Sequence, residues 1–269
     1  MSQKGAQKRN IIHGDAKNDI AVLCGPGPLP EIMINAIVAQ FGAVTIIREE
    51  KEPALTLLKR RRKMLGLGST TGQAAFGLFL KLVHLRSQGR ISEIIVNAGL
   101  EPVIPDRCPI IAIGSVNDET CRAALRAAAP KVVLVAGTRM IRKPTLTCID
   151  SPFINYHAGI NPLYRGMNGG YWALANDDKV NAGVCVHLVD EGVDTGAILY
   201  VARFEITEKD NFVTYPYLQA SVAQPLVVKA LDDALNERLA PIEIDLPSKQ
   251  WFHPTLWGYL WHGMVKGVW

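Results

Sequence analysis

A short part of the sequence brings together an amide, an imidazole and a carboxylate. Asn155 and His157 lie two residues apart in the run 153–158, so a strand there would direct both side chains to one face. Asp194 follows in the acidic loop 190–196, after another strand pattern. Open α/β sheets hold their sites at strand ends of this kind. On its own, an Asn-x-His pair is more often internally hydrogen-bonded than catalytic, so the surrounding elements decide its meaning.

The surrounding segments alternate between strand and helix patterns. Short apolar, β-branched runs predict buried strands, and apolar residues at helical spacing predict the helices between them. The strand patterns cover residues 19–24, 43–47, 110–113, 131–136, 182–189 and 197–203, and the helix patterns cover 29–41, 119–129 and 168–176. This alternation predicts an α/β fold with a doubly wound, mostly parallel sheet.

The chain is expected to divide into a leader, a main domain and an extension. Residues 1–18 are polar and predict a disordered leader, and residues 19–206 predict the catalytic domain. Within that domain, residues 53–90 are rich in Leu, Lys and Arg and interrupted by glycines, which predicts an insert of two or more short helices. Residues 207–269 predict a C-terminal extension, with a helix over 225–239 and an irregular, Trp-rich remainder.

The composition argues against several classes of protein. Five scattered cysteines without a Cys-x-x-Cys spacing argue against a disulfide framework and a zinc site, so we expect a reducing compartment and no metal. A net charge of +4 is far from the imbalance of a dedicated nucleic-acid-binding protein. No apolar run reaches the length of a membrane span. We therefore expect a cytoplasmic protein without a nucleic-acid partner.

Four motifs resemble those of the formyltetrahydrofolate-dependent formyltransferases, in the same order. The chain reads Asn155-Tyr-His157, Pro162-Leu-Tyr-Arg-Gly166, Gly183-Val-Cys-Val-His187 and Asp190-Glu-Gly-Val-Asp-Thr-Gly196. That family includes the glycinamide ribonucleotide, methionyl-tRNA and amino-sugar-nucleotide enzymes. One departure is Ala158, where relatives often carry Ser. The resemblance implies a Rossmann-like formyltransferase fold and transfer of a formyl group from 10-formyltetrahydrofolate to a primary amine.

The same resemblance makes Asn155, His157 and Asp194 the catalytic set. An amine that attacks a formyl carbon builds negative charge on the carbonyl oxygen, and an amide donor aimed at that oxygen lowers the barrier by about 3 kcal/mol. Asn155 suits that role. His157 is expected to stabilise the oxyanion or relay the proton, with Asp194 fixing its protonation state. His187 is expected to make an internal hydrogen bond without a direct part in the chemistry.

The resemblance also places the two substrates. The pterin is expected between a turn and an acidic loop, where backbone groups bind its edge and apolar side chains cover its face. The turn residues are Thr138, Arg139, Met140 and Ile141, and the loop residues are Asp190, Glu191, Gly192 and Val193. The residues expected to contact the acceptor are Arg165, Gly166, Asn168, Tyr171 and Trp172.

Three acceptors have to be separated. A methionyl-tRNA enzyme carries a large C-terminal β-barrel, which the helical residues 225–239 do not suggest. A glycinamide ribonucleotide enzyme has a glycine-rich phosphate loop, whereas the prolines of Gly25-Pro-Gly-Pro28 remove amide donors. The leading hypothesis is an amino-sugar nucleotide, such as a dTDP- or GDP-linked 4-amino-4,6-dideoxyhexose like GDP-perosamine, formylated for O-antigen and lipopolysaccharide synthesis. A non-catalytic folate- or nucleotide-binding scaffold is the alternative from another class.

Two further features of the sequence are candidates for binding. The basic run Lys59-Arg-Arg-Arg-Lys63 is either a solvated helix face or a collar for an anionic substrate. Arg165 has the better claim to a diphosphate, because its loop follows the strand of Asn155 and His157. The terminal tryptophans Trp251, Trp257, Trp261 and Trp269 are expected to pack on the domain or across a homodimer, and not to anchor the protein in a membrane.

Overall fold

The computed structural model describes residues 19–269, so the predicted leader, residues 1–18, lies outside the described residues. The strands are β1 (Ile20–Cys24), β2 (Thr45–Glu49), β3 (Ile110–Ile113), β4 (Val132–Ala136), β5 (Phe153–His157), β6 (Arg165–Gly166), β7 (Gly183–Leu188), β8 (Ile198–Arg203) and β9 (Gln250–Trp251). The helices are α1 (Pro28–Phe41), α2 (Ala54–Asn97), α3 (Glu119–Ala128), α4 (Lys143–Leu146), α5 (Gly169–Ala175), α6 (Tyr215–Leu235) and α7 (Leu256–Lys266), with a 3₁₀ turn over Lys179–Asn181.

Seven strands form one sheet in the order β3-β2-β1-β4-β5-β7-β8. The five strands from β3 to β5 run parallel, and β7 and β8 are antiparallel to their neighbours. The chain order reverses between β1 and β4, so a crevice opens at the carboxyl ends of these two strands. The predicted doubly wound, mostly parallel sheet is confirmed. The short strands β6 and β9 pair with each other beside it.

The central strands are apolar on both sides because helices cover both faces of the sheet. In β1, Val22 packs into the cluster formed with α1 and α6, whereas Leu23 packs into the cluster on the α3 side. Both side chains are fully buried, and each stabilises the fold by about 1.5–3 kcal/mol. This double burial explains why strand and helix patterns could be recognised in the sequence so directly.

Helix α2 covers the segment expected to form two or more short helices, and a kink at Gly66 divides it into two helices. Gly66 has φ 79° and ψ 174°, which are not helical angles. The other glycines do not break α2, and Gly72 permits close packing, because a Cβ there would overlap the ring of Trp257. None of the helices described between residues 19 and 269 has the combination of length and apolar character that crossing a membrane requires.

The C-terminal region is more helical than expected. Helix α6 begins at Tyr215, ten residues before the expected start at residue 225, because Pro216 occupies its first turn, where a missing N–H costs nothing. The stretch expected to be irregular contains α7, whose first turn is capped by the Thr255 hydroxyl, 3.2 Å from the Gly258 nitrogen. Its Gly- and Trp-rich sequence has low helix propensity, and burial of Tyr259 against α2 overrides it.

Gly25→Ala should destabilise the crevice between β1 and β4. The Gly25 N–H donates to the Ala136 carbonyl at 3.1 Å, and a Cβ at position 25 would overlap the Gly137 carbonyl. We expect the free energy of unfolding, measured in urea, to fall by about 1–3 kcal/mol. The control is Gly89→Ala in α2, where a Cβ meets nothing and should add about 0.5–1 kcal/mol. Equal stability of Gly25→Ala and the wild type would contradict this packing.

Candidate active site

The sheet register brings Asn155 next to a second histidine. Strands β5 and β7 are antiparallel, and Asn155 pairs with His187 while His157 pairs with Cys185. Opposite residues of neighbouring strands point to the same face. The Asn155 Nδ2 atom lies 3.1 Å from His187 Nε2. His187 therefore contacts the candidate catalytic amide directly, beyond the internal hydrogen bond that the sequence suggested for it.

The carboxylate of Asp194 joins these side chains. Its Oδ1 atom lies 3.4 Å from Asn155 Nδ2 and 3.5 Å from His187 Nε2, and its Oδ2 atom lies 3.5 Å from His157 Nδ1. The Gly166 N–H donates to Oδ2 at 2.9 Å. The structure thus brings together all three residues predicted to be catalytic. It adds His187 and the Gly166 amide as further partners of the carboxylate.

The loop between β7 and β8 holds Asp194 in place through its own contacts. Asp194 has φ 51°, in the left-handed region. Asp190 accepts from the Gly192 N–H at 3.0 Å and from the Thr195 hydroxyl at 2.7 Å. Arg165 Nη1 donates to the Val193 carbonyl at 2.8 Å. Asp190 and Arg165, predicted to contact folate and acceptor, therefore both support the conformation of the loop that carries Asp194.

Each imidazole has one nitrogen committed to a backbone carbonyl. His157 Nε2 lies 2.8 Å from the Tyr164 oxygen, so this nitrogen carries the proton of the neutral ring and Nδ1 is left with a lone pair facing Asp194. His187 Nδ1 lies 2.7 Å from the Leu188 oxygen, which leaves its Nε2 to accept from Asn155. In this assignment His157 can receive a proton at Nδ1 beside the carboxylate.

The pKa values of His157 and Asp194 are both lowered. Burial lowers the pKa of His157, against the opposing effects of Asp194 and the Tyr164 carbonyl. Burial alone would raise the pKa of Asp194, but the neighbouring imidazoles of His157 and His187 and the hydrogen bond from the Gly166 N–H outweigh it and lower that pKa to about 2. At neutral pH the site therefore holds an ionised carboxylate beside a neutral imidazole.

The predicted folate turn is held from behind by Glu49 and Asn117, which sequence reasoning missed. Arg139 Nε donates to Glu49 Oε1 at 2.7 Å and its backbone N–H donates to Oε2 at 2.9 Å, so the guanidinium is committed to the fold. Asn117 Nδ2 donates to the Met140 carbonyl at 3.0 Å. Ile141 is buried, whereas the Met140 side chain is 56% exposed. The one signal for Glu49 was its place at the end of a strand.

An ion pair connects the predicted folate turn to the predicted folate loop. Lys143 Nζ lies 2.9 Å from Glu191 Oε1, and both side chains are exposed. An exposed pair of this kind contributes little to stability. Its value is geometric, because it places Lys143, two residues after the turn 138–141, beside Glu191 of the loop 190–193.

A cleft of about 490 Å³ lies at the carboxyl ends of β1, β2 and β4. It is lined by Gly25, Pro26, Gly27, Glu49, Glu50, Lys51, Glu52, Gly137, Thr138 and Arg139. The cleft therefore touches the folate turn but does not include Asn155 or Asp194. It is a poor phosphate site, as the prolines indicated. Three glutamates line it, Pro26 and the neighbouring Pro28 have no N–H to donate, and the Gly25 N–H is already bound to the Ala136 carbonyl.

Of the residues predicted to contact the acceptor, Tyr171 is buried, whereas Gly166, Asn168 and Trp172 are partly exposed. Gly166 lies at the carboxylate, and Asn168 Nδ2 lies 2.9 Å from His253 Nδ1. Trp172 is half-buried and donates to the Phe252 carbonyl at 2.8 Å. Tyr171 is corrected to a core residue, since it is 2% exposed and its hydroxyl lies 2.9 Å from His262 Nδ1. The short helix α5 turns Tyr171 toward α7, which the sequence did not show.

The basic run 59–63 lies in the first part of α2, before the bend. Arg60 is paired with Glu52 at 2.9 Å. Burial lowers the pKa of His253 to about 4, and the charge of Arg61 adds to this effect. Arg61 therefore lies within electrostatic reach of the His253–Asn168 pair. Among the residues that the structure describes, no group of three or more His, Cys, Asp or Glu side chains could hold a metal ion.

Comparison with protein families identifies the segment that carries this geometry. Residues 111–231 match the family model described as formyl transferase. This segment, 121 of the 269 residues, is similar to the formyl transferase family. It contains Asn155, His157, His187 and Asp194, together with strands β4 to β8. The resemblance seen in the four motifs is confirmed.

The curated relatives that match this chain are named methionyl-tRNA formyltransferases. The chain is 36% identical over 138 residues to the methionyl-tRNA formyltransferase of Anaeromyxobacter sp. strain K, an alignment that covers 51% of this chain and 44% of the relative. It is 32% identical over 140 residues to the methionyl-tRNA formyltransferase of Halothermothrix orenii, covering 50% of this chain and 42% of that one. The chain thus matches less than half the length of these relatives.

Solved formyltransferase structures share the fold across most of the chain. A sugar N-formyltransferase from Shewanella gives a TM-score of 0.54 at 17% identity, covering 86% of this chain and 75% of that one. An N-formyltransferase from Helicobacter canadensis in complex with folinic acid and dTDP-3-aminofucose gives 0.53 at 13% identity, covering 87% and 70%. At these identities the likeness concerns the fold, and the Rossmann-like formyltransferase architecture is confirmed.

Asp194→Asn should flatten the acid limb of the stability curve. The folded pKa of Asp194 is about 2, below the unfolded value of about 3.9, so its charge stabilises the fold above pH 4 and this contribution is lost as the pH falls. Between about pH 5 and pH 3 the free energy of unfolding of the wild type should drop by about 1 kcal/mol more than that of the variant. If the free energy of unfolding falls by the same amount in both proteins between pH 5 and pH 3, Asp194 is not held in this network.

Proposed function

We propose that the protein transfers the formyl group of 10-formyltetrahydrofolate to the primary amine of an amino-sugar nucleotide. The observation that carries the proposal is the meeting of Asn155, His157 and Asp194 within one hydrogen-bonded group inside the formyl transferase segment. An amide donor, a neutral imidazole and an ionised carboxylate are the groups that formyl transfer to an amine requires. A non-catalytic scaffold would not need this arrangement of a buried carboxylate between two imidazoles.

The proposed chemistry follows from the free positions on these side chains. Asn155 Nδ2 donates one hydrogen to His187 Nε2 at 3.1 Å and makes only a long contact of 3.4 Å with Asp194, so its second hydrogen can turn to the formyl oxygen as negative charge develops there. The acceptor amine attacks the formyl carbon and a new C–N bond forms. Its proton passes to Nδ1 of His157, where Asp194 stabilises the imidazolium. The C–N10 bond then breaks, and N10 of the folate takes up the proton.

The folate site is proposed at the opening bordered by the turn 138–141 and the loop 190–193. The ion pair between Lys143 and Glu191 supports this, because Lys143 lies two residues after the turn and Glu191 lies in the loop. Exposed Met140 offers an apolar surface for a ring, whereas the guanidinium of Arg139 is already bound by Glu49. The structural neighbour from Helicobacter canadensis was solved with folinic acid, which supports a folate as the donor.

Two acceptors have support from different observations. The solved structures with this fold include sugar N-formyltransferases, one of them with dTDP-3-aminofucose, which favours an amino-sugar nucleotide. Asn168 and His253 form a polar pair that suits a sugar, and the charge of Arg61 reaches His253, which suits a phosphate nearby. The curated relatives are methionyl-tRNA formyltransferases, which makes methionyl-tRNA the second candidate.

The reaction is tested by mixing the protein with 10-formyltetrahydrofolate and a panel of acceptors, and measuring a mass gain of one formyl group. The panel contains dTDP- and GDP-linked amino sugars, glycinamide ribonucleotide and methionyl-tRNA. Product from an amino-sugar nucleotide alone is the expected result. Product from methionyl-tRNA alone would keep the reaction and replace the acceptor, and no product from any amine would overturn formyl transfer.

Asn155→Ala and Asp194→Ala should each remove most turnover and leave the fold intact. Loss of one oxyanion donor lowers kcat by about 100-fold or more, because the contact forms fully only in the transition state. The matched control is Asp150→Ala, an exposed carboxylate outside the network. Far-ultraviolet circular dichroism checks the fold and initial rates measure kcat. Near-normal turnover in either site variant would remove that residue from the catalytic set.

Arg61→Gln should weaken binding of a sugar nucleotide without weakening binding of the folate. A diphosphate held by one or two cations should lose about tenfold in apparent KM when one is neutralised. Acceptor affinity should depend weakly on salt, whereas a tRNA held through many phosphates would show a steep loss. Kinetics with each substrate varied at low and moderate salt measure both effects. A steep salt slope with tRNA, together with no sugar product, would refute the sugar-nucleotide acceptor.

A further inference from the structure

Strand β3 forms one edge of the seven-stranded sheet, and the side that faces away from β2 is bare. Ile110, Ile111 and Ala112 are exposed, and the two isoleucines remain 47% and 38% accessible. The run 108–116 contains no charged residue, and β3 contains no proline. Charged side chains and prolines usually keep the edges of sheets from pairing. β3 therefore has the properties of a strand that pairs with another one.

The opposite edge of the sheet, β8, is better protected. The Ile242 N–H donates to the Ile198 carbonyl at 2.7 Å, so a later part of the chain covers one end of this strand. The other end of β8 is the exposed, charged Arg203. In the part of the chain that the structure describes, residues 19–269, β3 pairs with β2 alone. The β3 edge is thus the more open of the two.

The backbone of β3 presents its hydrogen-bonding groups in a symmetric pattern. The Pro109 and Ile113 carbonyls both accept from N–H groups on the β2 side, at 3.0 Å and 2.9 Å. Successive residues of a strand turn their backbone groups to opposite sides, so Ile111 also faces β2 while Ile110 and Ala112 turn N–H and C=O outward. Within residues 19–269 these outward groups have no hydrogen-bond partner. They lie on either side of Ile111.

Helix α3 lies over β2 and β3 and carries short side chains toward the open edge. Its long side chains lie on the other flank, near Cys148. Burial raises the pKa of Cys148, and the charges of Arg126 and Arg122 oppose that rise, which places both arginines on the side of β4. The flank toward the β3 edge has small side chains at helical spacings of three and four, and these are Thr120, Ala123, Ala124 and Ala127. A second helix can therefore approach this flank closely.

We propose that two copies of this chain pair through β3 about a two-fold axis, which joins their sheets edge to edge. Antiparallel pairing about Ile111 sets Ile110 of one copy opposite Ala112 of the other. Both residues turn their backbone groups outward, so each such pair exchanges both of its N–H···O hydrogen bonds. The inference concerns assembly and stands apart from the proposed reaction.

The same pairing closes a contact on the α3 face of the sheet. Ile111 lies opposite Ile47 of β2, which packs with Leu125 of α3, so Ile111 points to this face. The two Ile111 side chains then meet at the axis. Neighbouring strands lie about 4.8 Å apart, so the axes of α3 and its copy come to lie about 10 Å apart, a distance at which helices pack. The second copy thus covers Ile111 and the flank of small side chains together.

The symmetry of these features selects a second copy over a foreign strand. A two-fold interface between identical chains brings the same surface of each against itself. The outward backbone groups are symmetric about Ile111, and the α3 flank is small enough to pack on its own copy. Like charges directly opposite each other would repel, and the run 108–116 carries none. An unrelated peptide would satisfy the backbone groups but leave the α3 flank uncovered.

The test is sedimentation velocity of the full-length protein over a series of concentrations, in which the wild type should sediment as a dimer. Ile111→Lys places two like charges opposite each other at the axis, so self-association should weaken by at least about tenfold. Ala112→Pro removes an outward N–H and leaves the hydrogen bonds to β2 in place, so it should also favour the monomer. The matched control is Val180→Lys, at a 70% exposed valine beside Arg203 of the opposite edge. It should remain dimeric.

A cysteine at the axis tests the register of the pairing. The Cα atoms of the two residues at position 111 should lie about 4.5 Å apart, within the range that a disulfide spans. Ile111→Cys should therefore form a disulfide-linked dimer on oxidation with diamide, whereas Val180→Cys should not. The wild type measures the background from the native cysteines, of which Cys148 alone is not buried.

Three outcomes would overturn the proposal. A wild type that stays monomeric at every concentration has no such contact. A dimer that Ile111→Lys and Ala112→Pro both leave intact uses another surface. A dimeric Ile111→Cys that forms no more disulfide than Val180→Cys pairs in another register or elsewhere. Circular dichroism checks that each variant is folded, and if Ile111→Lys is not, the result for Ala112→Pro decides.

Discussion

The buried carboxylate of Asp194 is the interaction on which the site depends. Its side chain is 16% exposed, and a charge in that position must be met by hydrogen bonds or opposite charge. The partners come from separate parts of the chain: His157 from β5, His187 from β7 and the Gly166 N–H from β6. Because no single element supplies them, the carboxylate can be satisfied only when the sheet has its native register. The site therefore forms only once this part of the fold is complete.

That dependence extends to residues that never touch the carboxylate. Gly166 pairs with Trp251 in the small sheet, and a Cβ at position 166 would overlap the Trp251 carbonyl. Arg165 holds the loop through the Val193 carbonyl and also contacts the Ser248 hydroxyl at 3.0 Å. The C-terminal region thus fixes the amide that binds Asp194. An account of catalysis that stops at the three predicted residues would leave out what orients them.

The sequence predicted what depends on short-range pattern and missed what depends on distant packing. Asn155, His157 and Asp194 stood out because motif order and strand spacing are local properties. His187 was underestimated, since its contact with Asn155 arises from antiparallel pairing of β5 with β7, which no spacing shows. Tyr171 was misplaced for a similar reason: its environment is set by His262, which lies 91 residues away.

The same division explains the helices. The glycines in residues 53–90 suggested breaks in the helix. Among them, Gly66 alone has non-helical backbone angles, and Gly72 instead allows the Trp257 ring to pack closely. Low propensity likewise hid α7, because its stability comes from burying Tyr259 against α2.

The surface follows a logic opposite to that of the site. Around Asp194 the carboxylate and both imidazoles have partners within the fold, whereas Leu78, Leu82 and Leu85 of α2 each leave more than half of the side chain exposed. Exposing Leu78 and Leu82 forgoes the free energy of their burial. The site is therefore organised by contacts within the chain, and its formation does not depend on these exposed side chains.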